Sequence, residues 1–262
     1  SISGSEINID SSSGVMTFAA APDYKTKSSY TATVTASDGS NSNTQIITVS
    51  IANVNEAPSI TSSATFSADE NQTAIGTVTA TDDDGDTIDF SISGSEINID
   101  SSSGVMTFTT IPDYETKSTY TATVSATDET NTSTQNITIT VRNLNDNGPL
   151  ITSDANFNAD ENQTNIGTVA ATDADGDDIT FSISGSEINI DSSSGVMTFA
   201  TAPDYETKST YTAIVTAIDG VYYVNQNITV SINNQNEGGV VITSDANFNA
   251  DENQTNIGTV AA

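Results

Sequence analysis

Ser-Ile-Ser-Gly-Ser-Glu-Ile-Asn-Ile-Asp-Ser-Ser-Ser-Gly-Val-Met-Thr-Phe, residues 91–108, occurs three times in this chain, beginning at Ser1, Ser91 and Ser182, 90 and then 91 residues apart. Inside it, Ser101-Ser102-Ser103-Gly104 supplies a turn between Ile97-Asn98-Ile99 and Val105-Met106-Thr107-Phe108, with Gly104 free to take positive φ. On either side the apolar residues recur with a period of two: Phe90 and Ile92 before the phrase, then Tyr120, Ala122, Val124 and Ala126, then Ile137, Ile139 and Val141. Each run offers one face to a core and one to water, which is the pattern of half-buried strands. No stretch has helical periodicity. Strands are expected near 60–66, 75–81, 88–93, 96–99, 105–109, 119–126 and 135–142. Roughly seven short strands in about 90 residues, separated by Gly, Asn, Asp and Ser, predict an all-β fold of Greek-key β-sandwiches.

A second phrase, Asp-Glu-Asn-Gln-Thr, begins at Asp69, Asp160 and Asp251, again at 91-residue steps. That period is far longer than a solenoid or propeller repeat, so each unit is a domain. The expected divisions are 1–56, the back part of one domain; 57–147 and 148–238, two whole domains; and 239–262, the front part of another. Ala262 falls where the earlier copy continues as Thr172-Asp173-Ala174-Asp175, so the chain reads as a piece of something longer. The tail of one such molecule is expected to complete the head of the next by strand addition, giving a head-to-tail filament. Copied domains build length or multiply a contact, whereas one catalytic pocket gains nothing from being copied.

Composition narrows the chemistry. Five Lys and Arg stand against 35 Asp and Glu, a net charge of −30, and there is no Cys, His or Trp. Such a charge repels nucleic acid and anionic membranes, and no apolar run approaches the ~20 residues of a membrane span, so neither partner is expected. Without Cys and His, thiolate and imidazole metal sites, disulfides and His-based acid–base catalysis are unavailable to the chain. Oxygen ligands remain, and they gather at strand ends: Asp69-Glu70, Asp82-Asp83-Asp84-Gly85-Asp86, Asp113-Tyr114-Glu115, Asp128 and Asn143-Leu144-Asn145-Asp146-Asn147-Gly148-Pro149. Sandwich loops cluster at the two ends, so phrases distant in sequence converge there. A hard cation such as Ca²⁺, which takes about 6 to 8 oxygens, is the expected cofactor. Asp82-Asp83-Asp84-Gly85 is not an EF-hand loop, because position 12 counted from Asp82 is Ser93 where a Glu is required.

The ordered set Asp69-Glu70-Asn71, Asp113-Tyr114-Glu115, Asn145-Asp146-Asn147 before Pro149, Asp173-Ala174-Asp175 and Asp219 resembles the calcium motifs of the cadherin repeat. The phrases Ala200-Thr201-Ala202-Pro203-Asp204-Tyr205-Glu206 and Asn53-Val54-Asn55-Glu56-Ala57-Pro58 are similar to those of cadherin-like repeats in large bacterial surface adhesins. The resemblance implies seven-stranded cadherin- or Ig-like domains in a linear rod, with calcium held between consecutive domains. Carried over, it assigns Glu70, Asp113, Glu115 and Asp146, with the Asn145 side chain and the Leu144 and Asn147 carbonyls, to one side of the second junction, and Asp173, Asp175 and Asp219 to the other. The departure here is Asn143, where the family usually has Asp. At the first junction it assigns Asp23, Asn55, Glu56, Asp82, Asp84 and Asp128, but Lys25 stands where the family has Glu and competes with the cation. At the third it assigns Glu161, Asp204, Glu206, Asn236 and Glu237.

The function expected is non-enzymatic: a calcium-stiffened adhesion and extension segment of a large extracellular protein on a bacterial surface. No nucleophile, base and orienting group come together in the sequence, and duplicated acidic pairs such as Asp113 and Glu115 are expected as ligands rather than as a glycosidase pair. The partners expected are calcium, like molecules in homophilic or head-to-tail contact, and cell-surface glycans. The alternative is a carbohydrate-binding accessory module of a secreted polysaccharide-degrading enzyme. Its candidate contact is Val221-Tyr222-Tyr223-Val224-Asn225, where the preceding repeat has Thr130-Asn131-Thr132-Ser133-Thr134.

Overall fold

The computed structural model describes all 262 residues, in 22 strands and no helix. The chain divides into two compact units, Ser1–Leu144 and Asn145–Ala262.

The repeat that follows residue 56 shows the plan. A four-stranded sheet runs in the order Thr65–Asp69, Thr132–Arg142, Thr119–Thr127, Asp89–Ile92. A three-stranded sheet runs Ile97–Ile99, Val105–Phe108, Ala74–Thr77. The long hairpin pairs antiparallel from Thr119↔Thr140 to Thr127↔Thr132, whereas the first strand joins its other edge in parallel, from Thr65↔Thr138 to Asp69↔Arg142. The alternation read from the sequence places Val124, Ala126, Ile137, Ile139 and Val141 inward, where they meet Met106 and Phe108 from the second sheet in one core. Met106, Val124, Ala126 and Ile139 have no solvent-exposed surface. The third repeat copies this core, with Met197, Val215, Ala217, Ile228 and Val230 fully buried. In residues 1–56 only two hairpins form, Ile7–Ile9 with Met16–Phe18 and Ser29–Ser37 with Ser42–Ser50. The counterpart of Met106, Met16, is 45% exposed there.

The repeated phrase folds as a capped turn. Asp100 Oδ1 accepts the amides of Ser102 (3.2 Å) and Ser103 (2.7 Å) and both their hydroxyls (2.9 and 2.7 Å). Gly104 adopts φ +69°, and a Cβ there would lie 2.2 Å from the Val78 carbonyl oxygen, so the turn needs glycine for space as well as for backbone. Val78 in turn donates its amide to the Gly104 carbonyl at 2.9 Å.

Two expected strands are divided. The run expected at 60–66 is Ser59–Ile60, paired with Ala80–Thr81, followed by Thr65–Asp69 in the four-stranded sheet. The run expected at 75–81 is Ala74–Thr77 and then Ala80–Thr81. The chain changes sheets at both places, and the Val78 amide leaves the ladder for the Gly104 turn. Residues 234–262 contain no strand. Thr243 and Ser244 still donate to the Ala261 carbonyl (2.9 and 3.4 Å), as Thr61 and Ser62 do to Thr79 (2.8 and 3.3 Å), so the local fold of the tail is kept without a sheet to join.

Candidate metal centres

Each strand-end phrase folds so that backbone amides hold one part of a carboxylate and leave another part facing its neighbours. Glu70 and Glu161 are buried at 2% and 3% exposure, an unusual place for a carboxylate. Glu70 accepts the Tyr114 amide on Oε2 and the Leu144 amide on Oε1, both at 2.7 Å. Glu161 does the same with Tyr205 (2.8 Å) and Gln235 (2.5 Å). In this way one Glu ties the Asp-Tyr-Glu turn to the end of the last strand.

The Asp-Tyr-Glu turns are themselves Asx-type turns. Asp113 accepts the Glu115 amide (3.1 Å) and the Thr116 hydroxyl (2.7 Å); Asp204 accepts the Glu206 amide (3.0 Å) and the Thr207 hydroxyl (2.9 Å). The threonine hydroxyl is the main reason that both aspartates sit below the usual carboxylate range. In the third repeat, oxygens of Glu161, Asp204 and Glu206 lie within 4.8 Å of one another. Glu206 also accepts from the Asn234 amide group at 2.8 Å. Of the two other residues assigned there, Asn236 and Glu237 are exposed, and Glu237 is pushed upward by loss of water and then by the charges of Glu161, Glu206 and Asp204. Each of these carboxylates raises the cost of ionising its neighbours.

The Asp-x-Asp loops form a second kind of cluster. Oxygens of Asp82, Asp84 and Asp86 lie within 4.8 Å of one another, and so do those of Asp173, Asp175 and Asp177. Asp82 Oδ1 accepts the Asp84 and Asp86 amides (2.8 and 3.3 Å), and Asp173 Oδ1 accepts those of Asp175 and Asp177 (3.0 and 3.3 Å). The other oxygen of each, Asp82 Oδ2 and Asp173 Oδ2, is buried with no hydrogen-bond partner. Asp86 and Asp177 were not among the expected ligands. Both are pushed upward, first by loss of water and then by their neighbours, Asp82, Asp84 and Asp128 for one, Asp173, Asp175 and Asp219 for the other. The spacing Asp-x-Asp-x-Asp in Asp82–Asp86 and Asp173–Asp177 is the signal that marks them.

Asp128 and Asp219 complete each loop group. Asp128, 6% exposed, accepts the Thr130 and Asn131 amides (2.8 and 2.6 Å) on Oδ1 and the Asn55 side chain (2.8 Å) on Oδ2. Asp219 accepts the Val221 and Tyr222 amides, both at 2.7 Å. Loss of water pushes Asp219 up, but the Tyr222 and Val221 amides and the Asn145 side chain draw it down on balance. Asp175 Oδ2 accepts the Asp146 and Asn147 amides (2.9 and 2.7 Å), and its Oδ1 accepts the Asn147 side chain (2.8 Å). Asn147, expected to offer a carbonyl, thus holds Asp175 by its donors, and Asn145 Oδ1 is buried without a partner.

The first joint lies wholly within the unit Ser1–Leu144. Asp23 accepts the Lys25 amide (2.9 Å) and the Thr26 hydroxyl (2.6 Å). Glu56 pairs with Lys25 and donates its amide to Asp84 Oδ2 at 2.9 Å. The Lys25 ammonium lies among these groups.

The residues present fit a hard cation in the second and third repeats. All donors are oxygens, several carboxylates share one space, and buried carboxylate oxygens lack any proton donor. Nothing in these clusters pairs a nucleophile with a base.

Residues 63–142 match the model of the cadherin domain. A search of curated proteins finds no match. Among solved structures, the chain is similar to extracellular cadherin domains 3–6 of protocadherin gamma B2 (21% identity, TM-score 0.71), covering 88% of this chain and 63% of that one. It is also similar to mouse cadherin-23 EC22–24 (21% identity, TM-score 0.66; 87% of this chain, 82% of that) and to mouse clustered protocadherin gamma C3 EC1–3 (17% identity, TM-score 0.71; 88% and 87%). Residues 63–142 are thus similar to the cadherin domain, and the chain as a whole shares the fold of tandem cadherin ectodomain structures.

Proposed function

We propose that this chain is a calcium-stiffened adhesion and extension segment of an extracellular bacterial surface protein, divided into repeats at 1–56, 57–147, 148–238 and 239–262. Calcium is held at the repeat ends. The Glu and Asp-Tyr-Glu side chains (Glu70, Asp113, Glu115; Glu161, Asp204, Glu206) and the linker residues Leu144–Asn147 supply one half of each site, and the Asp-x-Asp loop with its following Asp (Asp173, Asp175, Asp219) supplies the other. The observation that carries this reading is the pair of buried, partnerless carboxylate oxygens Asp173 Oδ2 and Asp219 Oδ2, where Asp173 is crowded with Asp175 and Asp177 within 4.8 Å. Like charges so placed favour one arrangement only when a counter-cation is bound, so occupancy couples to the orientation of consecutive repeats. Calorimetric titration of the chain with Ca²⁺ tests it. Asp175→Ala is expected to lower the affinity or stoichiometry while the sandwiches stay folded, because Asp175 contributes nothing to either core. Identical isotherms for the parent and the variant would remove Asp175 from the site.

A second reading, glycan binding, is favoured by one observation. At the tip before Tyr223–Asn233, Val221 is 63%, Tyr222 42% and Tyr223 68% exposed, an apolar and aromatic patch without a counterpart in the second repeat. Glycan-array binding lost in the Tyr222→Ala, Tyr223→Ala double variant but retained in Asp175→Ala would support it. Binding that follows calcium instead would exclude it.

A further inference from the structure

We propose that the ammonium of Lys25 is a built-in replacement for the cation at the first joint, so that residues 1–56 and the repeat after them are held together without calcium. This rests on the calcium reading only in naming what the lysine replaces. Lys25 occupies the place of Glu115 and Glu206 in the otherwise repeated phrase Pro-Asp-Tyr-Glu-Thr-Lys, so a ligand charge of −1 becomes +1. Its Nζ pairs with Glu56, lies 2.5 Å from Asp84 Oδ1, and donates to the Val54 carbonyl at 3.3 Å. Val54, Glu56 and Asp84 correspond to Leu144, Asp146 and Asp175, three of the groups assigned to calcium at the next joint. An ammonium has three protons, and these three oxygens take them.

The joint is otherwise closed around this contact. The Asp84 side chain is only 4% exposed and that of Lys25 28%, so water weakens their attraction less than it would at the surface. Asp84 Oδ1 also accepts the Asn53 side chain (2.6 Å), and Oδ2 accepts the Glu56 amide (2.9 Å). Asn55 reaches Asp128 Oδ2 (2.8 Å), and Asn131 reaches the Asn55 carbonyl (3.1 Å). Lys25, Asn53, Asn55 and Glu56 are therefore tied to the Asp-x-Asp loop and to the Asp128 loop by hydrogen bonds and one ammonium. A calcium ion entering there would have to expel Lys25 and then sit beside its charge. The array accordingly contains two kinds of joint, one locked by its own sequence and the others answering to calcium.

Because the chain has no cysteine, Thr44→Cys with Thr110→Cys places a single pair of nitroxide labels, at exposed positions on the two sides of the first joint. Pulsed electron resonance on the full chain then reads the spread of distances. In chelator the parent is expected to give a narrow distribution that calcium leaves unchanged. Lys25→Gln should broaden it in chelator, and Lys25→Arg should keep it narrow, since the charge is retained. Lys25→Glu should be broad in chelator, narrow on adding calcium, and bind more calcium than the parent. A parent distribution that is broad in chelator and narrowed by calcium would overturn the proposal, as would a Lys25→Gln distribution as narrow as the parent's. Calorimetry on the same samples reports separately on calcium: a parent that binds none at any joint removes the calcium reading, while the chelator comparison still decides the role of Lys25.

Discussion

Replacing Glu161 by Gln separates the two roles that the structure gives to one buried carboxylate. In the parent, Oε1 and Oε2 accept the amides of Gln235 (2.5 Å) and Tyr205 (2.8 Å) at 3% exposure. A glutamine has one acceptor oxygen, so its NH₂ group must face the second amide, leaving a buried donor unpaired and converting the surviving bond from charged to neutral. An unpaired buried donor costs about 1–3 kcal/mol, and the lost charge assistance adds roughly 1 kcal/mol, for a net loss of about 2–4 kcal/mol. Removing the charge also relieves repulsion with Asp204 and Glu206, but those side chains are exposed and water screens them, so this relief is the smaller effect. The third repeat of the variant should therefore be less stable than the parent in chelator, and the gap should widen in calcium, because the parent gains binding free energy that the variant loses. Urea unfolding followed by hydrogen exchange in Thr210–Ile218 measures the repeat concerned. Equal or greater stability of Glu161→Gln in chelator would refute the reasoning, showing that charge crowding outweighs the two amide bonds.

Two further predictions concern the repeated turn. Gly104→Ala should destabilise its repeat by about 3 kcal/mol or more, from left-handed backbone strain plus the 2.2 Å approach to the Val78 carbonyl, whereas Gly14→Ala, in the same sequence at φ +76° with nothing within 4 Å, should cost only about 1–2 kcal/mol. Equal losses would mean that space plays no part. Asp100 is held down to about 2, chiefly by the Ser103 hydroxyl, so its contribution is complete above the ordinary value of 3.8 and is lost as pH falls from about 4 to about 2. Ser103→Ala should raise the Asp100 titration midpoint in carboxyl NMR; an unchanged midpoint would remove the hydroxyl as its cause.

The long hairpin was legible because one buried face writes a period of two over nine or more residues, as in Thr119–Thr127. The short strands were not, because Ser59–Ile60 and Ala80–Thr81 are too brief to show a period, and a parallel partner such as Thr132–Arg142 for Thr65–Asp69 leaves no local mark. In the candidate sites, residue types and their order pointed to the carboxylate clusters. Which atom does what was hidden: that Glu70 and Glu161 are buried ties of the fold and that Asn147 serves Asp175 by its donors are consequences of backbone path. Lys25 stood out as a substitution in a repeat, but its grip on Asp84 and Glu56 appears only when the linker is folded against the loop.

Small-angle scattering of the full chain, in excess calcium and then in chelator at the same protein concentration, tests the central claim most directly. Calcium held at the joints between repeats should give a larger maximum dimension and a sharper rod-like profile than chelator, with Asp175→Ala reducing the difference. Superimposable profiles in calcium and chelator would contradict the account.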